Sequence, residues 1–96
     1  MKATLRYREK LTIKDRYVIE MTLHEINDRS KYRNGLKYGL ICFDLKTGKR
    51  VLMDNHHPKK DHVHIDNLEY EYDFQGVDKL VEDFKALVLK HLGIKL

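Results

Sequence analysis

Ninety-six residues, 42% of them hydrophobic and 35% charged, suffice for one packed core and are too few for two independently folding units. Cys42 is the only cysteine, which excludes an intrachain disulfide scaffold. No stretch approaches a membrane span, and the densely charged N-terminus does not read as a secretion signal, so a cytoplasmic protein is expected. The formal net charge of +4 is uneven: residues 1–16 and 27–50 are basic, whereas residues 66–83 hold seven acidic side chains and one lysine, Lys79. That distribution suits an anionic partner such as nucleic acid, or a charged protein, and equally a plain solvated surface.

The first third of the chain alternates. Leu5, Tyr7, Leu11 and Ile13 share one parity, with Arg6, Arg8 and Lys10 on the other; after Lys14, Asp15 and Arg16, a second run sets Tyr17, Ile19, Met21 and Leu23 against Glu20, Thr22 and His24. Both apolar faces must meet the same core, and directly paired residues of a hairpin lie on one side of the sheet. A three-residue loop with Ile13 opposite Tyr17 and Lys10 opposite Glu20 satisfies this condition, whereas a two-residue loop turns one apolar face to water. Arg6 and Arg8 are then expected on the non-core face.

Residues 27–35 form a polar, basic loop ending in the turn signal Asn34-Gly35. Arg29, Lys31 and Arg33 around Tyr32 have the composition that grips a nucleic-acid backbone and stacks a base, or that simply stays wet. The run Leu36–Asp44 is apolar on both faces, as in a central strand, with Cys42 expected as a buried, inert thiol. Lys46-Thr47-Gly48 turns the chain into a fourth strand over about residues 49–53. Residues 56–66 read as the least regular part of the molecule. Leu68, Tyr70, Tyr72 and Phe74 then alternate with Glu69, Glu71 and Asp73 in a short last strand with an acidic face. Finally, Val77, Leu80, Val81, Phe84, Leu87, Val88 and Leu92 recur at helical spacing over Val77–Leu92, with Gly93 as the stop. The fold class expected is α+β: a meandering antiparallel sheet of four to five strands, one C-terminal helix packed across a face, and a single domain over residues 1–96.

Residues 54–64 concentrate the chemistry, with four of the six histidines: His56, His57, His62 and His64. His62 and His64 are two apart, so on an extended chain both rings project to one side. Asp54 and Asp61 can orient an imidazole, and Lys59 and Lys60 can meet a phosphate. Three readings stay open. In the first, a phosphodiester is cleaved by acid–base catalysis: His62 or His64 moves the proton, Lys59 neutralises charge growing on phosphorus, and Asp61 holds a ring. In the second, the histidines and a carboxylate hold a metal, although the spacing matches no zinc-finger or zincin pattern. In the third, the segment is a polar, solvated loop. Asp83, on the polar side of the helix, can reach a loop cation. No Gly-rich phosphate loop, serine nucleophile motif or paired catalytic carboxylates occur.

The run Asp54-Asn55, then Lys59, then Asp61-His62-Val63-His64 resembles the central signature of the TumE-type toxins of prokaryotic toxin–antitoxin systems. Gly35-Leu36-Lys37-Tyr38, the aromatic run Tyr70-Glu71-Tyr72-Asp73-Phe74, and Leu80 with Asp83-Phe84 extend the likeness over residues 35–88. Met53 departs from the family's usual aromatic residue, and His56 and His57 stand where acidic or basic residues are common, so neither of those histidines is credited with the family's function. The resemblance implies a small toxin neutralised by an antitoxin encoded beside it, often a DNA-binding helix-turn-helix protein. By analogy with toxins of this size, RNA is the expected target. The combined expectation is a metal-independent endoribonuclease without a cofactor, with His62, His64, Lys59 and Asp61 catalytic and Asp54, Asn55, Arg29, Lys31, Tyr32, Arg33 and Lys37 binding. Alternatives are a non-enzymatic module that binds nucleic acid or protein, and a His-ligated metal-binding domain.

Overall fold

The structure, a computed structural model, describes residues 3–32 and 34–96. Six strands, β1 (Ala3–Ile13), β2 (Tyr17–Ile26), β3 (Leu36–Asp44), β4 (Arg50–Asp54), β5 (His62–Ile65) and β6 (Leu68–Glu71), form one antiparallel sheet in chain order, and α1 (Val77–Leu92) packs on one side of it. The α+β class and the meander agree with the sequence. Ile13 lies opposite Tyr17 and Lys10 opposite Glu20, the register that the shared-core argument requires.

The strand count is one higher than the upper expectation, because residues 62–65 are a strand and not irregular chain. His62-Val63-His64-Ile65 alternates: Val63 and Ile65 join the core while both histidines take the other face. A turn at Asp66-Asn67 leads into β6. Asp66 has φ 55, a conformation aspartate tolerates, and its carboxylate accepts the Arg50 backbone N–H at 3.0 Å, tying the turn to β4.

Two further differences concern β1 and β6. The β1–β2 register shifts between Leu5 and Tyr7, which leaves Arg6 as an extra residue and puts Leu5 opposite His24, on the face away from the helix. Arg6 therefore does not share a face with Arg8 as strict alternation requires; it donates to Glu25 at 2.6 Å. At the other edge the ladder stops at Glu71. Tyr72 and Phe74 leave the sheet toward the helix, where Tyr72 donates to Asp83 at 2.7 Å and Phe74 stacks on Tyr38 with ring centroids 5.6 Å apart. Asp83, expected to reach a loop cation, instead holds Tyr72 and Lys79, the latter at 3.0 Å one helical turn away. These two partners hold its carboxyl below the usual range.

The core lies between one sheet face and α1. Leu80, Phe84 and Val88, the helix positions of the predicted stripe that are fully buried, meet Leu40, Cys42, Val51, Met53 and Val63. Each large side chain so removed from water contributes about 1.5–3 kcal/mol. Gly93 ends the helix at φ 75, its N–H donating to the Leu89 carbonyl at 3.1 Å. Burial pushes the Cys42 thiol up to about 11, as an inert core thiol requires. The helix contacts β3 and β4, on one face only. Among the described residues, no helix covers the opposite face, and none is long and apolar enough to cross a membrane.

Candidate functional site

The helix-free face carries the histidine cluster, and the sheet register dictates its composition. Side chains on one face meet their directly paired neighbours across each ladder, so one row reads Thr22, Gly39, Asp54, His62, Glu71. The next reads Glu20, Ile41, Leu52, His64, Glu69. Two histidines separated by one residue are thereby set between a carboxylate strand end on one side and an acidic edge strand on the other.

His62 and His64 contact edge to face, with ring centroids 4.7 Å apart. The His62 side chain is 8% exposed, and both of its nitrogens face oxygen. Nδ1 lies 2.7 Å from the Lys60 carbonyl, and Nε2 lies 3.0 Å from Asp54 Oδ1. Both contacts are hydrogen bonds when the ring carries both protons. His64 is more open, at 21%. Its Nε2 lies 3.3 Å from Glu69 Oε1, the oxygen that also meets Lys59 Nζ at 2.9 Å and His62 Nε2 at 3.7 Å. The hydrogen bond from Lys59, with smaller contributions from the two histidines, holds the Glu69 carboxyl below its ordinary range. A single carboxylate oxygen is thus surrounded by three nitrogen groups.

A family model described as Toxin TumE matches residues 2–92. The chain belongs to the TumE toxin family. It is accordingly a toxin of a toxin–antitoxin system, and membership implies an antitoxin partner. Neither the curated proteins nor the solved structures hold a match.

The toxin's signature residues divide into those the fold brings together and those it employs elsewhere. His62, His64, Lys59 and Asp54 converge. Asp61, expected to hold an imidazole, does not join them: its carboxylate accepts the Tyr38 hydroxyl at 2.7 Å and its carbonyl accepts the Tyr72 N–H at 3.0 Å. Burial, reinforced by Asp61, pushes the Tyr38 hydroxyl far up. Asp54 takes the ring-orienting part, because antiparallel pairing sets it opposite His62. Asn55, expected to bind, is buried and joins backbone to backbone. Its Oδ1 accepts the Tyr38 N–H at 2.9 Å and its Nδ2 donates to the Leu36 carbonyl at 2.8 Å, which locks the end of β4 to the start of β3.

In the basic loop, Tyr32 is 4% exposed, and its hydroxyl accepts the His57 N–H at 3.1 Å. A base needs an open ring face to stack on, so the stacking role expected of Tyr32 is not available in this arrangement. Arg29 and Lys31 are exposed, the Arg29 guanidinium lying close over Gly35. Arg33 lies outside the described residues. Lys31 and Tyr32 share with Lys59, Lys60 and Asp61 the wall of a polar cavity of about 420 Å³. The two segments singled out in the sequence therefore meet in space. Lys37, opposite His24, lies on the histidine face.

Glu69 is the site residue that sequence reading missed. Its signal was the Asp66-Asn67 turn: with residues 62–65 read as a strand, a two-residue connection pairs His64 with Glu69.

Proposed function

We propose that the toxin acts on RNA in the cytoplasm, as a single catalytic domain that cleaves phosphodiester bonds by histidine acid–base chemistry without a metal. The observation that carries this reading is the pair of imidazoles in contact on the helix-free face, with the Lys59 ammonium joined to the same Glu69 oxygen as His64. An RNA phosphate that displaces Glu69 meets the Lys59 ammonium and the two rings, with His64 neutral as the base and His62 protonated as the acid. His64, the more open ring, receives the proton of the ribose 2′-hydroxyl as the P–O2′ bond forms. Lys59 offsets the charge gathering on the non-bridging oxygens. The P–O5′ bond breaks, and the departing oxygen takes the Nε2 proton of protonated His62 in exchange for the Asp54 contact, while the Lys60 carbonyl keeps its hold on Nδ1. The products are a 2′,3′-cyclic phosphate and a 5′-hydroxyl. Asp61 supports the cluster through Tyr38 and not by touching a ring.

Arg29, Lys31 and Lys37 supply backbone contacts that lengthen the RNA footprint, and Arg33 belongs with them by sequence. The antitoxin, read as a helix-turn-helix DNA-binding protein, silences the toxin until it is removed.

The test is cleavage of RNA by metal-stripped protein. Wild type is expected to cut; His64→Ala and His62→Ala are each expected to lose about 10²–10⁴-fold, and Glu69→Gln, which removes the competing anion, is expected to bind RNA more tightly. Equal cleavage by wild type and both histidine variants rules out the catalytic assignment. RNA binding without cleavage, sensitive to charge reversal at Arg29 and Lys31 and indifferent to the histidines, would favour a binding module in its place.

A further inference from the structure

The contacts around Glu69 also describe a coordination shell. One donor atom from each of His62, His64 and Glu69 lies within 4.8 Å of the other two. Glu69 Oε1 is 3.3 Å from His64 Nε2 and 3.7 Å from His62 Nε2. Ligands bound at about 2.0–2.2 Å around a tetrahedral ion stand about 3.3–3.5 Å apart, so these groups need only small shifts to share an ion. Asp54 Oδ1, 3.0 Å from His62 Nε2, stands beside them as a further carboxylate.

Three features separate this cluster from a chance gathering of polar groups. First, the His62 Nδ1 contact with the Lys60 carbonyl at 2.7 Å places a proton on Nδ1, which leaves Nε2 as the nitrogen that can give its lone pair to an ion. Backbone carbonyls orient metal-binding histidines in this way. Second, the donors stand on β5 and β6, whose register places His64 directly opposite Glu69, so their spacing is set by the ladder and not by a loop. Third, the donor set is mixed. Two imidazoles with a carboxylate select a late first-row divalent ion, zinc above all; calcium and magnesium prefer all-oxygen shells. Lys59 competes for Glu69, but its side chain is 60% exposed and can swing into solvent.

We propose that His62, His64 and Glu69, with Asp54 alongside, form a site for a divalent ion of the zinc class, and that the ion inhibits the toxin. The inhibitory half rests on the acid–base reading above: an ion that holds both imidazole lone pairs removes the groups that move protons and blocks the place of the phosphate. The binding half stands on the geometry alone.

Tag-free, metal-stripped protein titrated with cobalt(II) is the experiment, read by visible absorption and followed by displacement with zinc(II). Stoichiometric binding with nitrogen-coordinated spectra is expected in wild type. Binding is expected to weaken at least tenfold in His64→Ala and in Glu69→Gln, both at partly exposed positions, and to tighten in Lys59→Ala. His56→Ala is expected to bind as wild type does. Absence of binding in wild type, or a spectrum that survives both His64→Ala and Glu69→Gln, overturns the site. Stoichiometric zinc is further expected to suppress RNA cleavage, and faster cleavage with zinc overturns the inhibitory assignment. Metal-stripped protein that cuts no RNA would sink the nuclease reading while leaving the cobalt titration fully informative.

Discussion

Asp54 Oδ1 lies 3.0 Å from His62 Nε2, across the β4–β5 ladder that pairs the two residues directly. The carboxylate closes a chain from the Lys60 carbonyl through the ring and so fixes the ring plane. Asp54→Asn keeps the size and removes the charge. Its RNA cleavage is expected to fall by about tenfold or more, part of the full acid–base contribution, with little change in the urea midpoint. Unchanged cleavage would show that the ring needs no orienting carboxylate.

Gly39 sits in β3 between Thr22 and Asp54 on the histidine face. Its backbone does not occupy the left-handed region, and a Cβ there would meet only Thr22 Oγ1, at 3.5 Å, an ordinary contact. Folding does not demand glycine at this position, and a strand glycine costs about 0.5–1 kcal/mol relative to alanine. Gly39→Ala is expected to stabilise the fold by up to that amount. Gly39→Leu, which sets a bulky side chain directly beside Asp54, is expected to fold and to bind RNA more weakly. Chemical denaturation and RNA-binding titrations of both variants test the separation.

Phe84 is fully buried at the centre of the helix–sheet contact. Truncation to alanine leaves a cavity that the surrounding β3 and β4 side chains cannot all close. A loss of about 3–5 kcal/mol is expected for Phe84→Ala in urea unfolding. A loss below 1 kcal/mol, on the order of a surface substitution, would mean that the helix does not dock as described.

Asp44, buried at the end of β3, is held by both Nε and Nη2 of Arg16 at 2.9 Å, and also accepts from Thr47 and the Lys46 N–H. Arg16 above all, then Thr47 and the backbone, hold the carboxyl well below the ordinary carboxylate value, against the opposing effect of burial. A folded value below the unfolded one means that the group's stabilisation is present above the unfolded value, about 3.9, and fades as acid brings the pH through the folded one. Thermal midpoints of wild type are therefore expected to drop below about pH 4 more steeply than those of Asp44→Asn, which starts lower and loses this dependence. Parallel curves for the two proteins would remove Asp44 from the account.

Local sequence pattern alone specifies the helix, to its glycine stop, and the register of the first hairpin. Periods of 3.6 and 2.0 are local properties, and Ile13 opposite Tyr17 follows once two alternating faces must share one core. It also determined the side-by-side projection of His62 and His64, which needs only an extended backbone. The strand that carries them is less legible, because four residues with polar outward positions resemble a loop when read in isolation; Val63 and Ile65 carry the alternation.

Tertiary structure alone decided the partners. Whether Asp54 or Asp61 meets a ring depends on which strand flanks β5 and in what register. Asp61, one residue before β5, has its carboxylate drawn to Tyr38, whereas Asp54 arrives from β4 directly opposite His62. Glu69 enters from the other flank by the same pairing. Tyr32 and Asn55, polar and loop-like in sequence, were claimed by burial and backbone hydrogen bonding, since polar groups closed off from water must find partners within the fold. Side-chain direction along a strand is set by neighbours in sequence, but which charges face one another is set by neighbours in the sheet, and only the closed ladder specifies those.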